Sequence, residues 1–314
     1  MLRYLITGGS GLLGLATTKF VTSLENKDGF SVGSRECCLT NERKTFNLIA
    51  DYDPHCIIHL AAKVGGLNSN MNFNAEYFSE NIKINTNVLT AARENKVSKV
   101  ISLLSTCIYP DTASYPLTEY QIHDGPPHSS NFGYAYAKRM VDVQSRAYRQ
   151  QYGCNFITAV PNNLYGENDN FDLENSHVIP ALIRKIYEAK INNFPSVEVW
   201  GNGSPLREFT YSADMTEIIF FLLENYDEPH PINIGNTEEY SIKEVVEILC
   251  RTLDYQGNIF WNTDKPTGQH RKPSSNQKLL DLGWDKNNYT SLEEGLKNTC
   301  EWFIMNYPNI RGFS

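Results

Sequence analysis

The sequence has 314 residues, of which 41% are hydrophobic and 20% charged, and its formal net charge is −8. An acidic chain of ordinary composition does not favour nucleic acid or an anionic membrane surface as a partner. It contains no secretory signal and no apolar run of membrane-spanning length, and its seven cysteines lack paired CxxC spacing. We therefore expect a globular, cytoplasmic protein with a large core and without a bound metal or nucleic acid.

A short buried strand, Arg3–Ile6, runs directly into the glycine-rich turn TGGSGLLG, and a helix follows to about Leu24. Three of the glycines are spaced GxxGxxG, which permits a tight turn, a close approach to a pyrophosphate and close packing of helix on strand. The first N–H groups of the helix then face the phosphates. The turn predicts a dinucleotide site; the alternative is a glycine-rich turn without a ligand. The predicted contacts are Gly8, Gly9, Ser10, Gly11, Leu12, Leu13 and Gly14.

The second predicted strand, Phe30–Arg35, ends where an acidic residue would bind the 2′-hydroxyl of NAD. Ser34 and Arg35 stand there instead. Because a guanidinium suits a 2′-phosphate, these two residues favour NADP as the cofactor. The alternative is that Arg35 is a surface charge beside Glu36.

Three further buried strands end in small or polar residues, and helices predicted near 75–95 and 134–152 separate them. This alternation predicts an α/β fold with a doubly wound parallel sheet. The strands are Cys56–Leu60, Val100–Leu104 and Asn155–Val160. We assign 1–165, plus about 209–235, to the cofactor domain, and 166–208 with 236–314 to a smaller α/β substrate lobe. Cofactor contacts at the strand ends are predicted for Leu60, Ala61, Ala62, Leu103, Leu104, Ser105, Thr106, Pro161, Asn162, Asn163 and Leu164.

Ser105 follows the fourth strand, and Tyr134 and Lys138 open the next helix four residues apart, on one face. An ammonium beside a phenol lowers the pKa of the phenol, and a serine hydroxyl can hold the same carbonyl oxygen. The three residues therefore suit proton transfer at a C–O group during hydride transfer. Packing and solvated charge are the alternative for an isolated YxxxK.

Several basic residues follow in the smaller lobe of this acidic chain. Lys185, Arg207, Arg271 and Lys272 can converge on a second diphosphate, or each can be a solvated surface charge.

The blocks TGGSGLLG, LAAKVGG, LLSTCIYP, NFGYAYAKRM, NNLYGENDNF, SHVIPALIRK, VWGNGSPLREF and KPTGQHRK run through nearly the whole chain. In order and spacing they resemble the extended short-chain dehydrogenase/reductases, and within them the GDP-L-fucose synthases. The STCIYP and SHVIPAL blocks are the most specific. The resemblance implies a Rossmann fold, NADP(H) as cofactor and a homodimer formed through the helices after Asn81 and Tyr134.

The resemblance also implies a reaction, the 3,5-epimerisation and 4-reduction of GDP-4-keto-6-deoxy-D-mannose to GDP-L-fucose. Cys107 would be the base and His177 the acid of the epimerisation, since thiol and imidazole both exchange protons near neutral pH. Hydride from NADPH would reduce C4 while Tyr134 protonates the oxygen. Ser105 would hold that oxygen, and Lys138 would bind the nicotinamide ribose. His177 is also expected beside the cofactor.

By the same resemblance, substrate contacts are expected at Asn163, Lys185, Trp200, Arg207 and Lys272. Four positions depart from the family pattern: Lys185 replaces Arg, Asn162 replaces Thr, and Cys38 and Thr267 each replace Asp.

Two other functions compete with this one. A 4-epimerase or 4,6-dehydratase of the same fold would carry an acid near Ser34 or an acidic pair in place of Cys107 and Ile108. A non-catalytic NADP-binding sensor would lose the Tyr134–Lys138 pair.

Overall fold

The structure, a computed structural model, describes residues 1–265 and 270–313. In chain order its elements are β1 (Leu2–Thr7), α1 (Leu12–Ser23), β2 (Lys27–Val32), α2 (Glu42–Tyr52), β3 (Cys56–His59), α3 (Leu67–Asn72), α4 (Asn74–Glu94), β4 (Lys99–Leu103), α5 (Phe132–Tyr152), β5 (Phe156–Pro161), β6 (Asn163–Tyr165), α6 (Val178–Ile191), β7 (Ser196–Trp200), β8 (Leu206–Tyr211), α7 (Ser212–Asn225), β9 (Ile232–Ile234), β10 (Glu239–Ser241), α8 (Ile242–Leu253), β11 (Asn258–Asn262), α9 (Gln277–Asp281) and α10 (Leu292–Asn306).

A six-stranded sheet in the order β2-β1-β3-β4-β5-β9 forms the centre of the larger part, and every neighbouring pair is parallel. The central strands are mostly apolar and covered on both faces, and all six residues of β5 are buried, whereas the edge strand β2 is largely polar. Helices α2, α4 and α5 cover one face, and α1 and α7 pack together on the other. The predicted doubly wound parallel sheet is confirmed.

The chain reverses direction across the sheet between β1 and β3. From β1 it passes to the edge strand β2 and then returns to β3 on the other side of β1. In open parallel sheets, ligands bind outside the carboxyl ends of the strands at such a switch point. The strand order therefore places the glycine-rich turn after β1 and the residues after β3 at one binding cleft.

A second hydrophobic core lies under helices α6, α8 and α10. It includes a three-stranded sheet in the order β10-β8-β6 and a parallel pair, β7 and β11. Strand β6 follows β5 almost directly, so this smaller part begins at the carboxyl edge of the large sheet. The domain boundaries given above stay a prediction.

The structure corrects several element predictions. Strand β2 begins and ends three residues earlier than the predicted 30–35, so Ser34 and Arg35 lie in the turn after it. Helix α2 was not predicted, although Asn41 caps its first turn and its apolar residues follow helical spacing. The shorter elements β6, β8, β10, β11, α3 and α9 were also missed. Residues 266–269, including Thr267, lie outside the described residues.

Among the described helices, none is both long enough and apolar enough to cross a bilayer.

Candidate active site

The glycine-rich turn packs closely against its surroundings at the start of α1. A Cβ on Gly14 would lie 2.1 Å from the carbonyl oxygen of Gly8, so the helix packs directly on the turn. Gly8 has a φ of +77°, and a Cβ there would lie 2.9 Å from the backbone nitrogen of Ala61. Gly11 begins α1 without a side chain that caps its N–H groups. These backbone donors and the helix dipole fit the pyrophosphate of a dinucleotide.

The turn after β2 lies against the glycine-rich turn. A Cβ on Gly33 would lie 2.7 Å from Ser10 Oγ. Ser34 and Arg35 are exposed, and the Arg35 guanidinium makes no hydrogen bond or ion pair with any residue in the ranges 1–265 and 270–313. The neighbouring Glu36 carboxylate accepts a 2.9 Å hydrogen bond from the Gly33 N–H. The exposed position of Arg35 agrees with a cofactor contact and equally with the alternative of a surface charge beside Glu36. An unengaged guanidinium at this position fits a 2′-phosphate.

The other predicted cofactor residues lie at the same edge of the sheet. They end or closely follow the adjacent strands β3, β4 and β5, so they lie along one edge of the sheet. They are Leu60, Ala61, Ala62, Leu103, Leu104, Thr106, Pro161, Asn162, Asn163 and Leu164.

The hydroxyl of Ser105 connects the thiol and the phenol of the predicted catalytic set. It accepts a 3.4 Å hydrogen bond from the Cys107 N–H and caps the short 3₁₀ turn Thr106–Ile108. It also lies beside the side chains of Tyr134 and Cys107, where it favours their ionised forms and so lowers the pKa of both groups. The end of β4 and the first turn of α5 therefore bring three reactive side chains together.

The expectation that Lys138 lowers the pKa of Tyr134 is wrong in this structure. Burial raises the pKa of the phenol well above its usual value, and the negative charge of a Cys107 thiolate would raise it further. The Lys138 ammonium donates a 2.8 Å hydrogen bond to the carbonyl oxygen of Leu103 instead. Burial also lowers the pKa of Lys138 to about 8. Tyr134 is therefore held in its protonated form, which is the form a general acid requires.

Two cations oppose the effect of burial on Cys107. Burial raises the pKa of the thiol, while the Ser105 hydrogen bond and the positive charges of Lys272 and Lys138 lower it. Lys272 is half-buried and lies on the segment before α9. The sequence assigned Lys272 to substrate binding, and the structure also places it where its charge stabilises a thiolate.

His177 lies on a different element, directly before α6. Its imidazole keeps access to solvent, and desolvation by the protein around it lowers its pKa. A Cβ on Gly66, in the turn after β3, would lie 3.6 Å from the carbonyl oxygen of Asn175. The segment before His177 thus borders the cleft. Within the described ranges, no hydrogen bond joins His177 to the Ser105 group.

The predicted substrate residues lie on the smaller part of the molecule. Lys185 Nζ lies 5.7 Å from the ring centroid of Trp200, which is 56% exposed, and Lys265 Nζ lies 5.4 Å from the same centroid. Arg207 is half-buried on β8. Arg271 does not join this group, because it forms an ion pair with Glu239. An exposed indole with two ammonium groups suits an anionic, aromatic ligand.

Sequence analysis missed Glu208, which joins three segments that carry predicted substrate residues. Its buried carboxylate accepts hydrogen bonds of 2.8 Å from Ser274 N and 2.6 Å from Ser274 Oγ, two residues after Lys272. Its carbonyl oxygen accepts a 2.8 Å bond from Asn163 Nδ2, and Arg207 precedes it on β8. One signal in the sequence could have indicated this role, an acidic residue within the strand-like run Leu206–Tyr211. Burial raises the pKa of Glu208 to about 7.

Comparison with known proteins identifies the family of this chain. The model of the NAD dependent epimerase/dehydratase family matches residues 4–235. A Dictyostelium discoideum GDP-L-fucose synthase is 44% identical over 311 residues, covering 98% of this chain and 97% of the relative. The chain belongs to the GDP-L-fucose synthases of the NAD dependent epimerase/dehydratase family.

Other members of the GDP-L-fucose synthases agree over the full length. The Escherichia coli enzyme is 34% identical, and 99% of each chain is covered. A Naegleria fowleri GDP-L-fucose synthetase bound to NADP has a TM-score of 0.93 and 39% identity, covering 99% of this chain and 95% of that one. The resemblance seen in the sequence is confirmed. The roles of the individual site residues stay predictions.

Glu208 gives the stability of the protein a measurable pH dependence. A glutamate in an unfolded chain has a pKa of about 4.3, and folding raises that of Glu208 to about 7. Between these values the folded protein binds more protons, so stability falls as pH rises. We expect Glu208→Gln to reduce the decrease in the free energy of unfolding between pH 5 and pH 7. For such a pKa shift the contribution of Glu208 to this decrease is ~3 kcal/mol or less. Urea unfolding between about pH 5 and pH 7 measures it.

Two other buried groups remain in both proteins: burial raises the pKa of Asp169 to about 7 and lowers that of His59 to about 3. Their contributions to the slope have opposite signs, so the effect of Glu208→Gln is the difference in slope from a control variant. Glu293→Gln removes an exposed carboxylate and is the control, with the slope of the unmodified protein. A Glu208→Gln slope equal to that of the control would show that Glu208 is ionised throughout the range.

Proposed function

We propose that this protein converts GDP-4-keto-6-deoxy-D-mannose to GDP-L-fucose by 3,5-epimerisation and NADPH-dependent 4-reduction. The observation that carries the proposal is the Ser105 group, in which one hydroxyl joins a thiol and a phenol at the cofactor edge of the sheet. A 4-reductase needs the phenol, and an epimerase needs the additional base. The names of the full-length relatives support the same substrate.

The 4-keto group acidifies the C–H bonds at C3 and C5, so both carbons can be inverted through an enolate. In the proposed step, the Cys107 thiolate removes a proton from one face and protonated His177 delivers a proton to the other. Burial disfavours both working forms, since it raises the pKa of the thiol and lowers that of the imidazole. The charges of Lys272 and Lys138 offset this cost at Cys107. The two lysines therefore support the base without touching the reacting carbon.

When bound, NADPH supplies the hydride that reduces C4. The chain supplies the proton: Tyr134 donates it to the developing alkoxide, and Ser105 holds the same oxygen. Because burial keeps the phenol protonated, the proton is released as negative charge develops on the substrate oxygen. The unengaged Arg35 guanidinium supports NADPH over NADH.

The rival enzymes of this fold fit the site less well. A dehydratase needs an acidic pair after Thr106, where Cys107 and Ile108 stand. A 4-epimerase that keeps NAD bound favours an acid near Ser34, and that position is followed by Arg35. A cofactor sensor has no use for the Ser105, Tyr134 and Lys138 arrangement.

One assay tests the proposed function. Purified protein is incubated with NADPH and GDP-4-keto-6-deoxy-D-mannose, and NADPH absorbance and the nucleotide sugars are followed. We expect loss of NADPH together with an equal amount of GDP-L-fucose. No NADPH consumption, or a product still in the D-manno configuration, contradicts the proposal.

Two substitutions separate the two steps. Cys107→Ser replaces the thiol with a hydroxyl that is far harder to ionise, so we expect solvent deuterium to stop entering the sugar at C3 and C5. Tyr134→Phe removes the proton donor and is expected to slow reduction about 10²–10⁴-fold while exchange continues. Mass spectrometry in heavy water and NADPH consumption measure the two effects.

Matched controls exist for both changes. Cys154→Ser alters another half-buried thiol, and Tyr136→Phe alters a phenol two residues from Tyr134 whose ring contacts Phe132 and Arg139. Neither is expected to change exchange or reduction by more than about two-fold. Undiminished exchange in Cys107→Ser, or near-normal reduction in Tyr134→Phe, would remove that residue from its proposed role.

We also propose a homodimer in the cytoplasm. Helices α4 and α5 pack side by side and expose Phe78, Met140 and Val143, which are 42%, 37% and 40% accessible. A second copy of this helix pair would cover them. All seven cysteines are free thiols, which suits a reducing compartment. Sedimentation equilibrium tests the dimer, and a monomer at micromolar concentration would contradict it.

A further inference from the structure

Arg311 lies beside the glycine-rich turn although it is almost 300 residues away in the chain. It follows α10, in the segment Ile310–Phe313. A Cβ on Gly11 would lie 3.8 Å from Arg311 Nη1. Gly11 is the N-cap residue directly before α1, and the first backbone N–H groups of this helix face the expected pyrophosphate. The guanidinium therefore borders the position of the phosphates.

The backbone around Arg311 is fixed by contacts with the smaller part of the molecule. The carbonyl oxygen of Arg311 accepts a 2.9 Å hydrogen bond from Phe171 N, and that of Gly312 accepts a 2.9 Å bond from Arg184 Nη1. The Arg184 guanidinium also lies 4.5 Å from the ring centroid of Phe313. A Cβ on Gly312 would lie 2.3 Å from Asp172 N, so the segment packs closely there. Arg311 is thus presented by a well-anchored segment.

The Arg311 side chain itself is not committed to a protein partner. It is exposed, and within the described residues its guanidinium makes no hydrogen bond or salt bridge. Its charge does act on Asp169, a buried carboxyl whose Oδ2 lacks a hydrogen-bond partner among the described residues. Support for Asp169 is therefore the competing, purely structural role.

The charges near the turn indicate what Arg311 can add. The turn 7–14 contains no lysine or arginine, and the Glu36 carboxylate lies nearby, bonded to Gly33 N. A pyrophosphate bound there would meet backbone N–H groups but no positive side chain from the turn. A guanidinium can donate two parallel hydrogen bonds to phosphate oxygens, and such charge-assisted bonds are stronger than neutral ones.

The geometry points to Arg311 as a further cofactor-binding residue, whose guanidinium donates to the pyrophosphate of the dinucleotide above Gly11. The assignment rests on the proposed use of NADPH. It also means that a segment of the smaller part completes the cofactor site of the larger one.

The test compares two arginines and two cofactors in binding measurements without substrate. The dissociation constants of NADPH and NADH are measured by isothermal titration for the unmodified protein, Arg311→Gln and Arg35→Gln. Both cofactors have the pyrophosphate, and NADPH alone has the 2′-phosphate. We expect Arg311→Gln to weaken both cofactors by the same factor, about ten-fold or more, and Arg35→Gln to weaken NADPH alone. Arg311→Lys keeps the charge and is expected to recover part of the loss.

Arg251→Gln, which changes an exposed arginine paired with Glu293, is the control and leaves both constants unchanged. The assignment is overturned if Arg311→Gln binds both cofactors within two-fold of the unmodified protein. It is also overturned if Arg311→Gln weakens the binding of NADPH but not that of NADH. A third contrary result is a lower melting temperature with unchanged binding of both cofactors, which is what a purely structural role beside Asp169 requires. The binding experiment and the turnover assay can fail separately. If the turnover assay shows no reaction but Arg311→Gln still weakens NADPH and NADH equally, the proposed reaction is contradicted and the assignment of Arg311 stands.

Discussion

The position of the Ser105 hydroxyl, beside Cys107 and Tyr134, is the constraint on which the site depends. Parallel strand β4 ends at Leu103, and after Leu104 and Ser105 the chain enters the short 3₁₀ turn that carries Cys107. The Ser105 hydroxyl accepts a hydrogen bond from the Cys107 N–H in that turn, and it lies beside the Cys107 thiol and the Tyr134 phenol. A single strand end therefore fixes the relative positions of a thiol and a phenol that belong to different elements. Because β4 lies inside the sheet between β3 and β5, this position is also rigid.

Burial is the main cause of the pKa shifts of Tyr134, Cys107 and His177, and nearby charges change the shift of the thiol. It holds the phenol protonated and disfavours both the thiolate and the imidazolium. Lys138 and Lys272 favour the thiolate, and they come from two separate elements, one from α5 and one from the segment before α9. Desolvation thus opposes the reactive forms of both Cys107 and His177. The proposed chemistry needs the substrate carbonyl to make proton removal favourable.

Local patterns predicted the parts of the fold in which sequence alone decides the structure. The glycine spacing, the apolar strand runs and the Tyr134–Lys138 spacing each describe contacts between near neighbours, and the parallel sheet follows from them. Contacts between distant segments were not accessible in this way. Glu208 joins Asn163 to Ser274, and Arg311 borders Gly11, and no periodicity indicates either contact. The direction of the Tyr134 pKa was also mispredicted, because spacing indicates proximity to Lys138 and carries no information on burial.

The central claim is that thiol, imidazole and phenol surround one hexose ring at the carboxyl edge of β4. A crystal structure of the protein with NADP and GDP-L-fucose measures this directly. The account predicts Cys107 Sγ and the His177 ring on opposite faces of the sugar, each within about 4 Å of C3 or C5, with Tyr134 Oη hydrogen-bonded to the oxygen on C4. A sugar that contacts Tyr134 while Cys107 or His177 points away from it would contradict the epimerisation and leave only a reductase.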